Sequence, residues 1–303
     1  MHSTFFFTFL TVMASVPAGN PDEPGHGDAL PRITLPQGFG ATVFSTGISG
    51  VDGLVFSPSG YLYAASEGNG AVYRIDEFGN AIMVADSLNN PEGLAADSAG
   101  LIYVTEDVEY GRLIAIKPSG DLEILHDSLQ YPEGVALIGE GIFAVTESSL
   151  EASIIPPVLT GVRRIDKNGS YPISSSLYLW SCSDLIVDSS GAVYVCNELS
   201  GYGFIQASLL RIDPDSGELE VFCSGLRSPE GICSSIDGFF PLYITEEDTG
   251  TGSGRLSLVD SDGSVTSFAE GFFNIEDVAV DTEGGIYVSE DTTGMIILIR
   301  GED

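Results

Sequence analysis

The 303-residue chain carries 44 Asp and Glu against 11 Lys and Arg, a formal net charge of -33, and 43% of its residues are hydrophobic. That field repels nucleic acid, heparin-like polyanions and anionic membranes and attracts cations, so neither a nucleic acid nor a membrane is expected as a partner. The apolar content is ample for a packed core, which excludes disorder as the default state.

The first predicted element is an export signal. Residues 5–12 form an apolar run too short to span a bilayer, and Val16-Pro17-Ala18 ends on a small residue. Residues 1–18 therefore read as a cleaved signal peptide and the chain as secreted, extracellular or periplasmic. Residues 19–37, rich in Pro and Gly, read as a linker, leaving 38–303 as the folded domain.

Residues 41–47 read as a strand matching the later stretch 220–225, with no companion strands ahead of it. Six related units follow. Asn90-Pro91-Glu92-Gly93-Leu94 leads to Tyr103-Val104-Thr105-Glu106, and Pro132-Glu133-Gly134-Val135 leads to Ala144-Val145-Thr146-Glu147. Pro229-Glu230-Gly231-Ile232 leads in the same way to Tyr243-Ile244-Thr245-Glu246. Weaker copies begin at Val51-Asp52-Gly53-Leu54, Ser183-Asp184-Leu185 and Ile275-Glu276-Asp277-Val278. The apolar residues after the acids (Leu54, Leu94, Val135, Leu185, Ile232, Val278) recur every 40 to 50 residues, the period of a propeller blade. Each unit divides into four short strands at Gly-containing turns; helical periodicity is absent. The last unit stops after three strands. The expected fold is thus all-β: a six-bladed β-propeller of four-stranded blades, its last blade closed by the N-terminal strand.

In a four-stranded meander, the turn into the first strand and the connection between second and third share a face. The acids Asp52, Glu92, Glu133, Glu230 and Glu276 begin the innermost strands on that face, with Ser183 in their register in the fourth unit and Asp184 beside it. Clustered carboxylates without basic neighbours call for a hard cation, and all-oxygen ligation favours calcium over zinc; the alternative is that Pro-Glu-Gly only caps a turn. A second row, Glu106, Glu147, Glu246 and Glu290, with Asn197 and Ser66 in the other units, is expected at a solvent-facing rim. The connections at 148–161, 198–207 and 247–254 are long, which points to binding on this face. Tyr178, Trp180 and Tyr202 near them are either recognition aromatics or packing residues.

Cys182, Cys196, Cys223 and Cys233 lie in one quarter of the chain, and export would favour two disulfides in one of three pairings, with buried free thiols as the alternative. His2, His26 and His126 are the only histidines and none begins an inner strand, which argues against Ser-His-Asp catalysis, Cys-His chemistry and His-ligated zinc.

Through its repeated inner-strand motifs, the chain over residues 35–300 resembles the SMP-30/gluconolactonase-like six-bladed propellers, and more loosely NHL-repeat and strictosidine-synthase-like propellers. Tyr-Val-Thr-Glu is also similar to repeats of virginiamycin B lyase-like propellers, whose seven blades and active-site His this chain does not match. The first resemblance implies calcium at the channel mouth, held by a first-blade acid, an Asn and a later Asp that also serves as base in lactone hydrolysis. Those positions fall on Asp52, Ser183 and Glu230. Two functions are therefore expected: a calcium-dependent lactone or ester hydrolase with Glu230 as base, or a non-catalytic propeller that binds a ligand or protein on its long-loop face. A monomer is expected in either case.

Overall fold

Alternating apolar residues between Gly, Asp and Ser turns give each unit an antiparallel meander. The computed structural model describes residues 9–11, 32–148, 161–175, 181–198, 207–247 and 254–302. The interiors of the three long connections, together with His2, His26, Tyr178, Trp180 and Tyr202, lie outside the described residues. Blade 1 comprises Val51–Phe56, Leu62–Ser66, Ala71–Ile75 and Ala81–Ala85, and blade 2 Pro91–Ala96, Ile102–Glu106, Glu109–Ile116 and Leu122–Gln130. Blade 3 comprises Val135–Gly139, Ile142–Glu147, Gly161–Asp166 and Gly169–Ser175, and blade 4 Cys182–Val187, Val193–Asn197, Ser208–Ile212 and Leu219–Ser224. Blade 5 is formed by Pro229–Ser234, Leu242–Glu246, Gly254–Val259 and Val265–Phe272. Blade 6 contributes Ile275–Val280, Ile286–Glu290 and Met295–Gly301, and takes its outer strand from Phe39–Ser45. Ala41 and Val43 oppose Ile299 and Ile297, so the expected closure of the ring is present.

The core lies between blades. Tyr103 of blade 2 packs on Phe143 of blade 3, and Ala144 and Val162 of blade 3 pack with Leu185 and Val193 of blade 4. Because each sheet buries both faces against neighbours, the ring holds together only when complete. Thr34–Pro36 lies along the outer strand of blade 5, Thr34 opposite Glu270, and Phe9–Thr11 pairs with it in turn. Ile33 and Leu35, expected in the linker, are buried with Phe268 and Phe272.

The expected disulfides are absent: all four cysteines are free thiols. Cys196 and Cys223 both lie opposite Leu209, on the strands to either side of it. Two strand spacings, about 9.6 Å, exceed the reach of a disulfide. Burial pushes all four thiols up, Cys223 to about 11 and Cys233 to about 12. No helix among the described residues is long and apolar enough to cross a membrane.

Candidate functional site at the axial mouth

The innermost strands carry the repeat motif to the axis, where successive residues form successive layers. Asp52, Glu92, Glu133, Ser183, Glu230 and Glu276 surround a cavity of about 30 Å3, the space of one ion or water. One residue on, Gly53, Gly93, Gly134 and Gly231 form a waist together with Asp184 and Asp277. Glycine is needed there because the next blade is in contact: a Cβ on Gly93 would sit 2.1 Å from the Glu133 carbonyl, and one on Gly231 would sit 2.6 Å from Asp277 Cα. The apolar residues Leu54, Leu94, Val135, Leu185, Ile232 and Val278 follow beneath.

Asp184 thus stands at a glycine position and not in the acid row. Its Oδ2 accepts from Ile232 N of blade 5 at 3.4 Å, and Leu185 N also donates to it. Asp277 does the same at the joint of blades 6 and 1, accepting from Leu54 N and Val278 N at 2.6 Å each. Ser183 donates to the Pro229 and Glu230 carbonyls at 2.8 and 3.0 Å. These three side chains serve the backbone of the ring. Asp52 and Glu276 line the mouth, and Glu276 Oε1 accepts from Asn274 Nδ2 at 2.6 Å.

The second acid row is not a rim: Glu106, Glu147, Glu246 and Glu290 are all buried. In three blades an arginine on the third strand meets the acid. Arg112 pairs with Glu106, Arg163 Nε lies 2.8 Å from Glu147, and Arg255 holds Glu246 through Nε at 2.8 Å and Nη2 at 2.6 Å. A backbone N–H ahead of the first strand completes each carboxylate: Asn89, Gln130, Arg227 and Phe273. The row fastens the strand entries to the blades.

A third row, unforeseen, is the residue after each of these. Strand alternation turns Glu67, Asp107 and Glu198 back toward the mouth, and Glu247 and Asp291 occupy the same position in blades 5 and 6. Carboxylate oxygens of Glu67, Glu92 and Asp107 lie within 4.8 Å of one another, as do those of Glu133, Glu198 and Glu230. In the first group Asn90 Nδ2 donates to Glu67 at 2.7 Å, while Asp107 Oδ1 is buried without a hydrogen-bond partner. In the second group Glu230 and Glu198 share a hydrogen bond.

Desolvation, reinforced by neighbouring carboxylates, raises the whole set. Asp52, Glu92, Glu133 and Glu230 stand well above the ordinary carboxylate range and Glu276 is pushed to about 10. Glu198 and Asp184 rise to about 7 and Asp107 to about 6, burial again being the main cause. Among the described residues, no guanidinium or ammonium lines the mouth to offset them. Three oxygens within 4.8 Å match a cation bonded at about 2.4 Å to each, and the unpartnered Asp107 oxygen fits a calcium-type ligand set.

Fold and site together define a six-bladed β-propeller with an acidic axial mouth. No family model matches the sequence, and no curated protein matches it. Among solved structures, the chain is similar to a gluconolactonase from Xanthomonas campestris, at 12% identity and a TM-score of 0.70, over 89% of this chain and 90% of that one. It is also similar to the PQQ domain of a pyranose dehydrogenase from Coprinopsis cinerea (12%, TM-score 0.69, 91% and 99%) and to virginiamycin B lyase from Staphylococcus aureus (14%, TM-score 0.57, 86% and 98%). At such identities the likeness is one of fold, and it includes the gluconolactonase-like propellers that the motifs resemble.

Proposed function

We propose that the protein is an exported, monomeric, calcium-dependent hydrolase of small lactones or esters, acting at the axial mouth. The observation that carries this reading is the division of the mouth into two carboxylate groups of different chemistry. Glu67, Glu92 and Asp107 bring three carboxyls together, with one oxygen unpartnered, a donor set for calcium. Glu198 and Glu230 are neighbouring carboxyls both raised by burial, Glu198 to about 7, the arrangement of an acid and a base. A bound divalent cation supplies charge compensation and Lewis-acid polarisation of a carbonyl oxygen. Glu198, near pH 7 in its ionisation, takes the proton of an attacking water. Glu230, whose hold on its proton is strengthened by burial and by neighbouring Glu198, Glu276 and Glu133, delivers that proton to the departing oxygen. The base therefore moves from Glu230 to Glu198, with Glu230 as the acid. Similarity to a gluconolactonase supports a lactone as substrate class. Quinone-dependent sugar oxidation is less favoured, because among the described residues the mouth lining contains neither histidine nor a basic residue.

A non-catalytic propeller binding a small ligand or a protein on the same face is the second reading. It is favoured by Ser183, whose hydroxyl serves the backbone where the related enzymes place an Asn ligand. Glu92→Gln and Glu198→Gln separate the roles. Calcium is expected to raise the melting temperature of wild type and Glu198→Gln but not of Glu92→Gln, while turnover of a lactone and aryl-ester panel is lost in both. Melting unchanged from micromolar to millimolar calcium removes the cation site. Turnover equal in wild type, Glu198→Gln and Glu230→Gln removes the acid–base pair, and calcium stabilisation without turnover of any substrate selects the second reading. Export is tested by N-terminal sequencing of protein recovered outside the cell, with cleavage after Ala18 expected.

A further inference from the structure

On the face opposite the mouth, neighbouring blades meet in grooves built from the same repeat positions. The second residue of the second strand supplies one ring, Tyr194 in blade 4 and Tyr287 in blade 6. The bulged residue of the outer strand supplies another, Phe222 and Phe44 respectively. The two ring pairs match: Tyr194–Phe222 centroids are 5.2 Å apart and Tyr287–Phe44 centroids 4.9 Å, both edge-to-face.

What the next blade inserts differs. Between blades 4 and 5, the connection 235–241 carries Phe239 and Phe240, 5.1 and 5.8 Å from Tyr194, and Phe240 stacks on Phe222 at 5.5 Å and 20°. Between blades 6 and 1 the equivalent connection is the short turn Ser57-Pro58-Ser59-Gly60. Phe56 covers Tyr287 at 5.0 Å, yet no ring among the described residues stacks on Phe44 as Phe240 does on Phe222. A cleft of about 610 Å3 remains, with Phe44, Phe56, Ser59, Glu77, Glu283 and Arg300 in its lining.

The charge at this cleft is one-sided. Asp76 is taken up by Phe78 N and Asn80 N at 3.0 and 2.9 Å, and Asp281 by Gly285 N at 2.7 Å and Arg300 Nη2 at 2.6 Å. Arg300, the one basic residue there, is therefore already engaged. Glu77 and Glu283 are exposed, Glu283 lying 3.5 Å from Arg300.

We infer that the cleft between blades 6 and 1 is a second binding site, for a small molecule that joins an aryl ring to a cationic amine. The ring takes against Phe44 the place that Phe240 takes against Phe222, and the ammonium faces Glu77 and Glu283. The inference is independent of any chemistry at the axial mouth.

The test is an NMR titration of the full chain with 2-phenylethylammonium. Saturable shifts are expected at Ser59, Glu77 and Tyr287, with 3-phenylpropionate, of similar size and opposite charge, binding at least about tenfold more weakly. Ser59→Trp, placed on the exposed turn, brings a ring into the cleft and is expected to abolish binding. The double change Glu77→Gln and Glu283→Gln is expected to erase the preference for the cation while leaving the fold intact. Any of four results overturns the inference: no saturable shift at the cleft up to about 10 mM, shifts at Glu92 and Glu230 only, equal binding of the anion, or undiminished binding in folded Ser59→Trp.

Discussion

Stripped of cations, the protein should lose stability as pH rises from 5 to 8, the reverse of what acid-rich surfaces with depressed carboxylates do. Glu198 shows why. Its ordinary value of 4.5 rises to about 7 in the fold, chiefly through burial. The folded state therefore binds the proton more tightly than the unfolded chain does. The resulting stabilisation is fully present below pH 4.5 and is lost as pH climbs through 7. Between pH 5 and 8 this single group removes about 2.5 kcal/mol, which for a domain of this size lowers the melting temperature by about 4 °C. Asp107, raised to about 6, loses its share at the lower end of the same window. Calcium at a thousand times its Kd returns about 4 kcal/mol, and it acts on the ionised set, so its stabilisation is expected to be larger at pH 8 than at pH 5. Thermal melts followed by circular dichroism in chelator and in millimolar calcium measure both trends, and Glu198→Gln should flatten the chelated profile. A chelated melting temperature equal or higher at pH 8, or a calcium shift independent of pH, would refute the reasoning.

Four further outcomes follow from the packing. Arg255→Met strands Glu246 as a fully buried carboxylate and is expected to cost about 3 to 5 kcal/mol in urea denaturation. Arg211→Met breaks the exposed pair with Glu220 and a hydrogen bond with Tyr194, and should cost about 1 kcal/mol. Gly93→Ala drives a methyl group into the Glu133 carbonyl, so destabilisation of about 3 kcal/mol is expected together with weakened calcium binding, read in the same melts. Cys182, Cys196 and Cys223, buried and raised in pKa, should resist an aromatic disulfide reagent in the native state and react fully in denaturant; rapid native labelling of Cys182 or Cys196 would contradict their burial.

The blade period, the four-strand meanders and the closure by Phe39–Ser45 were legible because they depend on local patterns: alternation, turn residues and a missing strand at each end. The fate of the second acid row was not, because its burial depends on register. Only the pairing of Glu246 with Arg255 across neighbouring strands shows that a guanidinium stands opposite the acid. The third row was within reach. Once Glu106 is placed inside the blade, alternation sends Asp107 to the other side, and an acid recurs at this position in Glu67, Glu198, Glu247 and Asp291. Ser183-Asp184 looked like an acid shifted by one residue. The structure makes it two substitutions: a hydroxyl in the acid row, and a carboxylate in the glycine layer where blade 5 presents the Ile232 N–H.

The distribution of arginines ties the acid rows to the mouth's need for a cation. Where the second-row acid is missing, its partner is missing too: Ser66 faces Ala71 in blade 1, and Asn197 faces Ser208 in blade 4. Joint loss avoids a lone buried charge, which costs several kcal/mol; in blade 4 it leaves the polar atoms of Asn197 and Ser208 buried without partners, the smaller penalty. Blade 6 is the exception, with Glu290 opposite Met295; Phe273 N and Thr293 Oγ1 hold that carboxyl at 2.6 Å each, and burial raises its pKa. In a chain with only 11 basic residues, Arg112, Arg163 and Arg255 are committed to the second row, and none lines the mouth. The first and third rows then have two ways to lower their mutual repulsion, binding protons or binding a metal ion. At neutral pH protons suffice for Glu276 at about 10 but not for Asp107 at about 6. The group containing Asp107 is therefore the part of the mouth with most to gain from a divalent cation, and the part from which a Gln substitution should remove the calcium response.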